Sequence, residues 1–177
     1  MKIYFVRNTM TNWTSLGKIQ GKTDIPLSKH GFQDAINIAK ECQKLDINLI
    51  ISSSQTSAKQ TSLIIGKTLN VPIIYNNSLV ERDMGEFEGK KEQDVDLSDC
   101  WDYERNEIYN HAENIQDFFY RIEKTLDEIT NTFQDKNILI VSHMGVSIIA
   151  KCYFDMETPK GDLQELAIEN QKIETLK

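Results

Sequence analysis

Short apolar runs alternate with helical patterns along this chain, and the alternation is the feature that most constrains its fold. The strand-like runs occupy residues 2–6, 49–52, 71–75 and 137–141. Apolar residues recur at helical spacing after each run, most clearly between Ile115 and Ile129. This alternation is typical of α/β proteins with a largely parallel, buried sheet. We expect a terminal hairpin over residues 165–176.

Length and charge narrow the choice of domains and partners. The 177 residues contain no linker-like segment, which predicts a single domain over 1–177. Twenty Lys and Arg against 27 Asp and Glu leave a net charge of −7, which argues against nucleic-acid and anionic-membrane partners. The apolar start is too short for a secretory signal, and three cysteines without close pairing indicate no disulfide framework. We therefore expect a cytoplasmic protein.

Polar residues follow the predicted strands at the places where ligands bind in α/β sheets. Arg7 ends the first apolar run, and His143 ends the most apolar one. Ligands in such sheets bind beyond the carboxyl ends of the strands, and an imidazole at a strand-to-helix turn can donate to a phosphate oxygen. Glu81 lies between them in an acidic segment and is a candidate acid for protonating a leaving oxygen. Metal-ligand spacing is absent, so neither a metal nor a cofactor is expected.

Five segments, in order, resemble motifs of the histidine phosphatase superfamily, which includes phosphoglycerate mutases and α-ribazole phosphatase-like enzymes. They are QGKTDIPLS at 20–28, SSSQTSAKQT at 52–61, LVERDMGEFEG at 79–89, AEN at 112–114 and VSHMGV at 141–146. The resemblance implies a three-layer αβα sandwich around a mostly parallel central sheet, as in phosphoglycerate mutases. It also implies chemistry on phosphate esters.

The family transfers a phosphoryl group through a phosphohistidine, with two Arg and a second His around the phosphate and a Glu as acid. By resemblance, Arg7 matches the first Arg, Glu81 the acid and His143 the second His. The nucleophile's position holds Asn8, and the second Arg's position holds Ser57. An amide cannot form a phosphohistidine, and a serine hydroxyl carries no charge. The expected phosphate contacts are therefore Arg7, Asn8, His143 and Ser57.

Other cations and aromatic residues are candidates for supporting roles. Lys59 is expected to point away from the pocket, and Lys22 is interpreted as an exposed loop cation. The polar segment 90–110 is predicted to cross the same sheet edge and to shape specificity. Within it, Trp101 and Tyr103 are expected to be exposed and to mark a contact or a lid.

Three functional hypotheses follow. The first is a degenerate member that binds a phosphorylated small molecule, phosphate or a partner without phosphohistidine chemistry, and hence is not a standard enzyme. The second is an active phosphomonoesterase with a rearranged mechanism, in which His143 is the nucleophile or Glu81 activates water. The third is a structural or interaction subunit with an empty pocket. No pattern indicates the oligomeric state.

Overall fold

Five strands form one sheet in the order β3-β2-β4-β1-β5. The computed structural model describes all 177 residues. The strands are β1 (Ile3–Arg7), β2 (Leu49–Ser53), β3 (Ile73–Asn76), β4 (Ile138–Ser142) and β5 (Ile173–Thr175). The first four pair in parallel and β5 pairs antiparallel with β1. The predicted α/β class with a mostly parallel sheet is confirmed.

Four helices connect and cover the strands. They are α1 (Lys29–Cys42), α2 (Thr56–Leu69), α3 (Ile115–Thr132) and α4 (Met144–Asp155). Side-chain caps fix two of the starts: Ser28 accepts from the backbone N–H of Gly31, and Asn114 accepts from two N–H groups in the first turn of α3. None of the helices combines the length and the apolar character required to traverse a bilayer.

Alternate residues of each strand enter two separate cores, one on each face of the sheet. Phe5 and Ile140 pack into the core that contains α3 and α4. Their neighbours Val6 and Val141 pack into the smaller core with α1 and α2. Because strand side chains alternate between faces, strands covered on both sides must be apolar throughout. This arrangement is the three-layer αβα sandwich that the resemblance implied.

The predicted terminal hairpin is wrong. Gln164–Leu166 forms a short 3-10 turn, and Ile173–Thr175 becomes the edge strand β5 instead of pairing with it. β1 pairs with β4 along one edge, and β5 pairs with the backbone groups along its other edge. Long-range pairing therefore replaces the local turn.

The segment between β3 and α3 contains three 3-10 turns, at Asn77–Leu79, Gly85–Phe87 and Glu92–Asp94. Arg82 anchors it: this buried guanidinium donates to the carbonyls of Cys100 and Glu113 and lies 5.3 Å from the centre of the Trp101 ring. Trp101 is only 4% exposed, so the expectation of an exposed aromatic is wrong for this residue. The Trp101 ring packs between Arg82 and the larger core, and its position over the sheet edge is therefore fixed.

Candidate functional site

The parallel register of β1 and β4 brings two predicted site residues together. Arg7 lies opposite Ser142. The residues that follow them, Asn8 after β1 and His143 after β4, therefore leave the sheet at the same level. The N–H of Asn8 donates to the carbonyl of Ser142 at 2.6 Å. The side chains then meet, with 2.9 Å between Asn8 Oδ1 and His143 Nδ1.

The hydrogen bonds around His143 define its tautomer. Asn8 uses its amide N–H to donate to the carbonyl of Thr9, so Oδ1 is the atom that faces His143 and accepts from Nδ1–H. His143 Nε2 lies 2.8 Å from the hydroxyl of Ser53 and accepts from it, while Ser53 Oγ accepts from the N–H of Gln55. Both ring nitrogens are therefore engaged by the protein.

His143 carries no charge at neutral pH. Burial lowers its pKa to about 3, and the nearby positive charge of Arg7 acts in the same direction. The ring is 4% exposed. The positive charge that the family resemblance suggested for this position is consequently missing.

Glu81 is held at the start of α4 by two backbone amides. One carboxylate oxygen accepts from the N–H of Gly145 at 3.0 Å, and the other accepts from the N–H of Arg82 at 2.8 Å. A Cβ at Gly145 would lie 2.5 Å from the Glu81 carboxylate, so this close approach requires glycine. Burial raises the pKa of Glu81, although the two amides and the charge of Arg7 oppose the shift. Glu81 is thus suited to holding a proton.

Arg7 and Ser57 have contrasting environments. Arg7 donates through Nη1 to the carbonyl of Ile168 at 2.8 Å, which orients the guanidinium. Ser57 is completely buried in the first turn of α2, and its hydroxyl has no hydrogen-bond partner.

A cavity of about 220 Å³ lies over the sheet edge. Arg7, Asn8, Glu81 and His143 all line it, whereas Ser57 does not. The structure therefore brings together four of the five residues selected from the sequence. The assignment of Ser57 as a phosphate contact stays a prediction.

The cavity also contains residues that sequence reasoning missed. Lys18 lines it and lies 5.6 Å over the Trp13 ring, whereas Lys22 is exposed and Lys59 lies over Tyr75. The sequence signal that could have indicated Lys18 as a cavity residue is its position just before the 20–28 motif. Glu92, Leu97 and Trp101 from the 90–110 segment line the cavity too, as do Gln164 and Asn170 near the C-terminus. No group of three or more His, Cys, Asp or Glu side chains is arranged to hold a metal ion.

Comparisons with known proteins agree with this geometry. The family profile described as the histidine phosphatase superfamily (branch 1) matches residues 3–177. An uncharacterized phosphatase, PhoE, of Bacillus subtilis is 30% identical over 148 residues, which cover 84% of this chain and 74% of that protein. A probable phosphoglycerate mutase, GpmB, of Escherichia coli O139:H28 is 30% identical over 156 residues, covering 84% and 71%.

A solved structure has the same fold. The α-ribazole phosphatase of Shigella flexneri superposes with a TM-score of 0.82 at 21% identity and covers 98% of this chain and 88% of that one. The family match over nearly the whole sequence and the motif residues gathered at one sheet edge lead to the same conclusion: the chain belongs to branch 1 of the histidine phosphatase superfamily.

Proposed function

We propose that this protein binds a phosphorylated small molecule in the cavity over β1 and β4 without forming a phosphohistidine. The observation that carries the proposal is the Asn8 side chain, hydrogen-bonded to His143 at the position of the family's nucleophile. The nitrogen lone pair of an amide is delocalised into the carbonyl, so it does not attack phosphorus. Covalent catalysis at this position is therefore absent.

His143 does not replace the missing nucleophile in this geometry. Attack on phosphorus needs a free nitrogen lone pair, and the one on Nε2 accepts from Ser53, 2.8 Å away. Nδ1 carries the proton donated to Asn8. This arrangement favours a positioning role for His143 over the nucleophilic role in the rearranged mechanism.

Recognition of the phosphate is assigned chiefly to Arg7. Its guanidinium lines the cavity and offers charge-assisted hydrogen bonds to a dianionic group. Asn8, which lines the cavity, is the proposed additional contact, whereas the phosphate contacts expected from the sequence at His143 and Ser57 stay predictions. With fewer cations than the family pattern, the site supports binding better than transfer of the phosphoryl group, whose developing charge needs strong stabilisation.

A second candidate function rests on Glu81. Its carboxyl lines the cavity, and burial raises its pKa toward the range useful for acid–base catalysis. In this mechanism Glu81 takes a proton from water as the water oxygen attacks phosphorus. The ester P–O bond breaks on the opposite side of phosphorus, so solvent protonates the departing alkoxide and Glu81 releases its proton to solvent. The named phosphatase among the relatives is consistent with this activity.

Two measurements on the full chain separate these functions. Calorimetric titration with inorganic phosphate should show binding that Arg7→Gln weakens by about 10- to 100-fold, the effect of losing one charge-assisted contact. Lys22→Gln, at an exposed cation outside the cavity, is the control and should bind like wild type. Assays with p-nitrophenyl phosphate should show no hydrolysis above buffer.

Other results would change the assignment. Hydrolysis abolished by Glu81→Gln would establish the second function and overturn the first. A labelled phosphoryl group trapped on His143 after acid quenching would establish a rearranged phosphohistidine mechanism. Failure of phosphate to bind wild type would overturn the proposal and favour a structural role with an empty pocket.

A further inference from the structure

The cavity has an inner and an outer half with different chemistry. The inner half, at the ends of β1 and β4, contains Arg7, Asn8 and His143. The outer half is built by the loop after β1, the 90–110 segment and the C-terminal region. Since the phosphate occupies the inner half, the outer half meets the organic part of the ligand. This step rests on the proposed function.

The outer half carries one positive and one negative side chain. Lys18 and Glu92 both line the cavity, and no ion pair within 4.0 Å joins them or involves either with another residue. Lys18 lies over the Trp13 ring, and the Glu92 carboxylate accepts no hydrogen bond from the protein. A ligand in the outer half therefore meets one charge of each sign.

The rest of the outer half is neutral and combines apolar and amide side chains. Ile19, Leu97 and the buried ring of Trp101 supply apolar surface. Gln164 and Asn170 supply amides, which serve neutral polar groups without adding charge. Pockets of this kind bind through apolar contact and use a few polar groups for orientation.

We infer that the ligand is a monophosphate ester whose organic part is partly apolar and carries no net negative charge, and that Glu92 is a specificity-determining residue. A phosphate dianion is met by Arg7 in the inner half. A second anionic group, such as the carboxylate of 3-phosphoglycerate, would be attracted by Lys18 but repelled by Glu92. Phosphosugar acids and bisphosphates are disfavoured for the same reason.

The test compares phenyl phosphate with 3-phosphoglycerate by calorimetric titration of wild type, Glu92→Gln and Asp94→Asn. Asp94 belongs to the same 3-10 turn as Glu92 but does not line the cavity, which makes it the matched control. Wild type should bind phenyl phosphate more tightly. Glu92→Gln should shift the ratio of the two dissociation constants toward 3-phosphoglycerate by about threefold, and less at 0.5 M salt, because charges near the surface are screened. Asp94→Asn should leave the ratio as in wild type.

The outcomes distinguish this inference from the proposed function. Binding of inorganic phosphate with equal affinities for the two esters, or with a ratio that Glu92→Gln does not change, overturns the inference and leaves the proposed function standing. Failure of inorganic phosphate to bind overturns both. If either ester is hydrolysed, the ratio of kcat/KM values replaces the ratio of dissociation constants and is read in the same way.

Discussion

The turn after β1 and the first turn of α2 lie side by side, and each holds a residue at which the sequence is predicted to depart from the family's motif. They are linked through Thr61 in the second turn of α2: the N–H of Thr9 donates to the Thr61 hydroxyl at 3.3 Å, and that hydroxyl donates to the carbonyl of Ser57 at 2.9 Å. In the turn after β1, the Asn8 side chain donates to the carbonyl of Thr9 and accepts from His143. In the first turn of α2, the Ser57 hydroxyl has no hydrogen-bond partner although it is completely buried.

The difference indicates two kinds of change at one site. At position 8, where the resemblance predicts the family's imidazole, the Asn8 side chain joins β1 to β4 through His143 and, through Ser53, to β2. At position 57, where the resemblance predicts a guanidinium, the Ser57 hydroxyl has no hydrogen-bond partner. Asn8 thus has a structural role in the hydrogen-bond network, whereas the Ser57 hydroxyl has none.

The largest expected effect comes from restoring both family residues. Asn8→His combined with Ser57→Arg should give p-nitrophenyl phosphate hydrolysis that exceeds Asn8→His alone by about 10²- to 10³-fold, because a donor aimed at the developing phosphoryl charge contributes on that scale. The nucleophile alone lacks that stabilisation. Initial rates of the two variants, with folding checked by thermal melting, provide the measurement.

Asn8→Gln with Ser57→Arg is the control, since it restores the charge but keeps an amide at the nucleophile's position. It should show no turnover. A correctly folded double revertant that is also inactive would mean that the changes at the site extend beyond these two positions.

A smaller effect concerns stability. Asn8→Ala should lower the free energy of unfolding by about 2–3 kcal/mol, because it removes two hydrogen bonds and leaves the buried Nδ1–H of His143 unpaired. Ser57→Ala should leave stability unchanged or raise it by up to about 1 kcal/mol, because it removes an unsatisfied hydroxyl and alanine favours the helix. Urea denaturation of both variants measures the contrast.

Equal losses in the two variants would contradict the comparison. The same proteins also test the predicted role of Ser57. Weaker binding of inorganic phosphate by stable Ser57→Ala would assign its hydroxyl to the ligand, and unchanged binding would remove it from the predicted contacts.

Local pattern predicted most of the fold and the placement of the inner site. The strand 137–141 was recognised from its apolar run, and β4 spans Ile138–Ser142. The sequence indicates Arg7 because it ends the first apolar run, and Glu81 and His143 because they lie in contiguous motifs; the three residues share one cavity. The strand ends of a parallel sheet bring such motifs together regardless of their separation in sequence.

What escaped prediction depends on long-range contacts. His143 is neutral because it is buried and lies near the positive charge of Arg7, and its Nε2 is hydrogen-bonded to Ser53, 90 residues away; no local pattern encodes these contacts. The fixed position of Trp101 depends on the guanidinium of Arg82, 19 residues earlier in a segment without helical or strand periodicity. The pattern at the C-terminal end predicts a local hairpin, whereas β5 pairs with β1, at the other end of the chain. A local pattern does not encode such a distant pairing.

The last prediction uses pH to test whether the network around Asn8 holds a neutral imidazole. The pKa of His143 is lowered from 6.5 to about 3 in the folded protein, so between these values the unfolded chain binds a proton that the folded one excludes. The resulting stability is present above pH 6.5 and is lost as pH falls, by at most about 1.4 kcal/mol per pH unit. Glu81, whose pKa is raised, acts in the opposite sense: its contribution is lost as pH rises.

Replacing the titrating group isolates its share of this slope. His143→Gln should show a shallower dependence of unfolding free energy on pH between about 6 and 4, while His30→Gln, at an exposed histidine on α1, should follow wild type. Because Glu81 remains in all three proteins, its opposing contribution cancels in the differences. Parallel curves for wild type and His143→Gln would mean that His143 takes up a proton readily in the folded state. The imidazole would then be a cation at mildly acidic pH: Asn8 would still accept from Nδ1–H, but the site would hold a second positive charge beside Arg7.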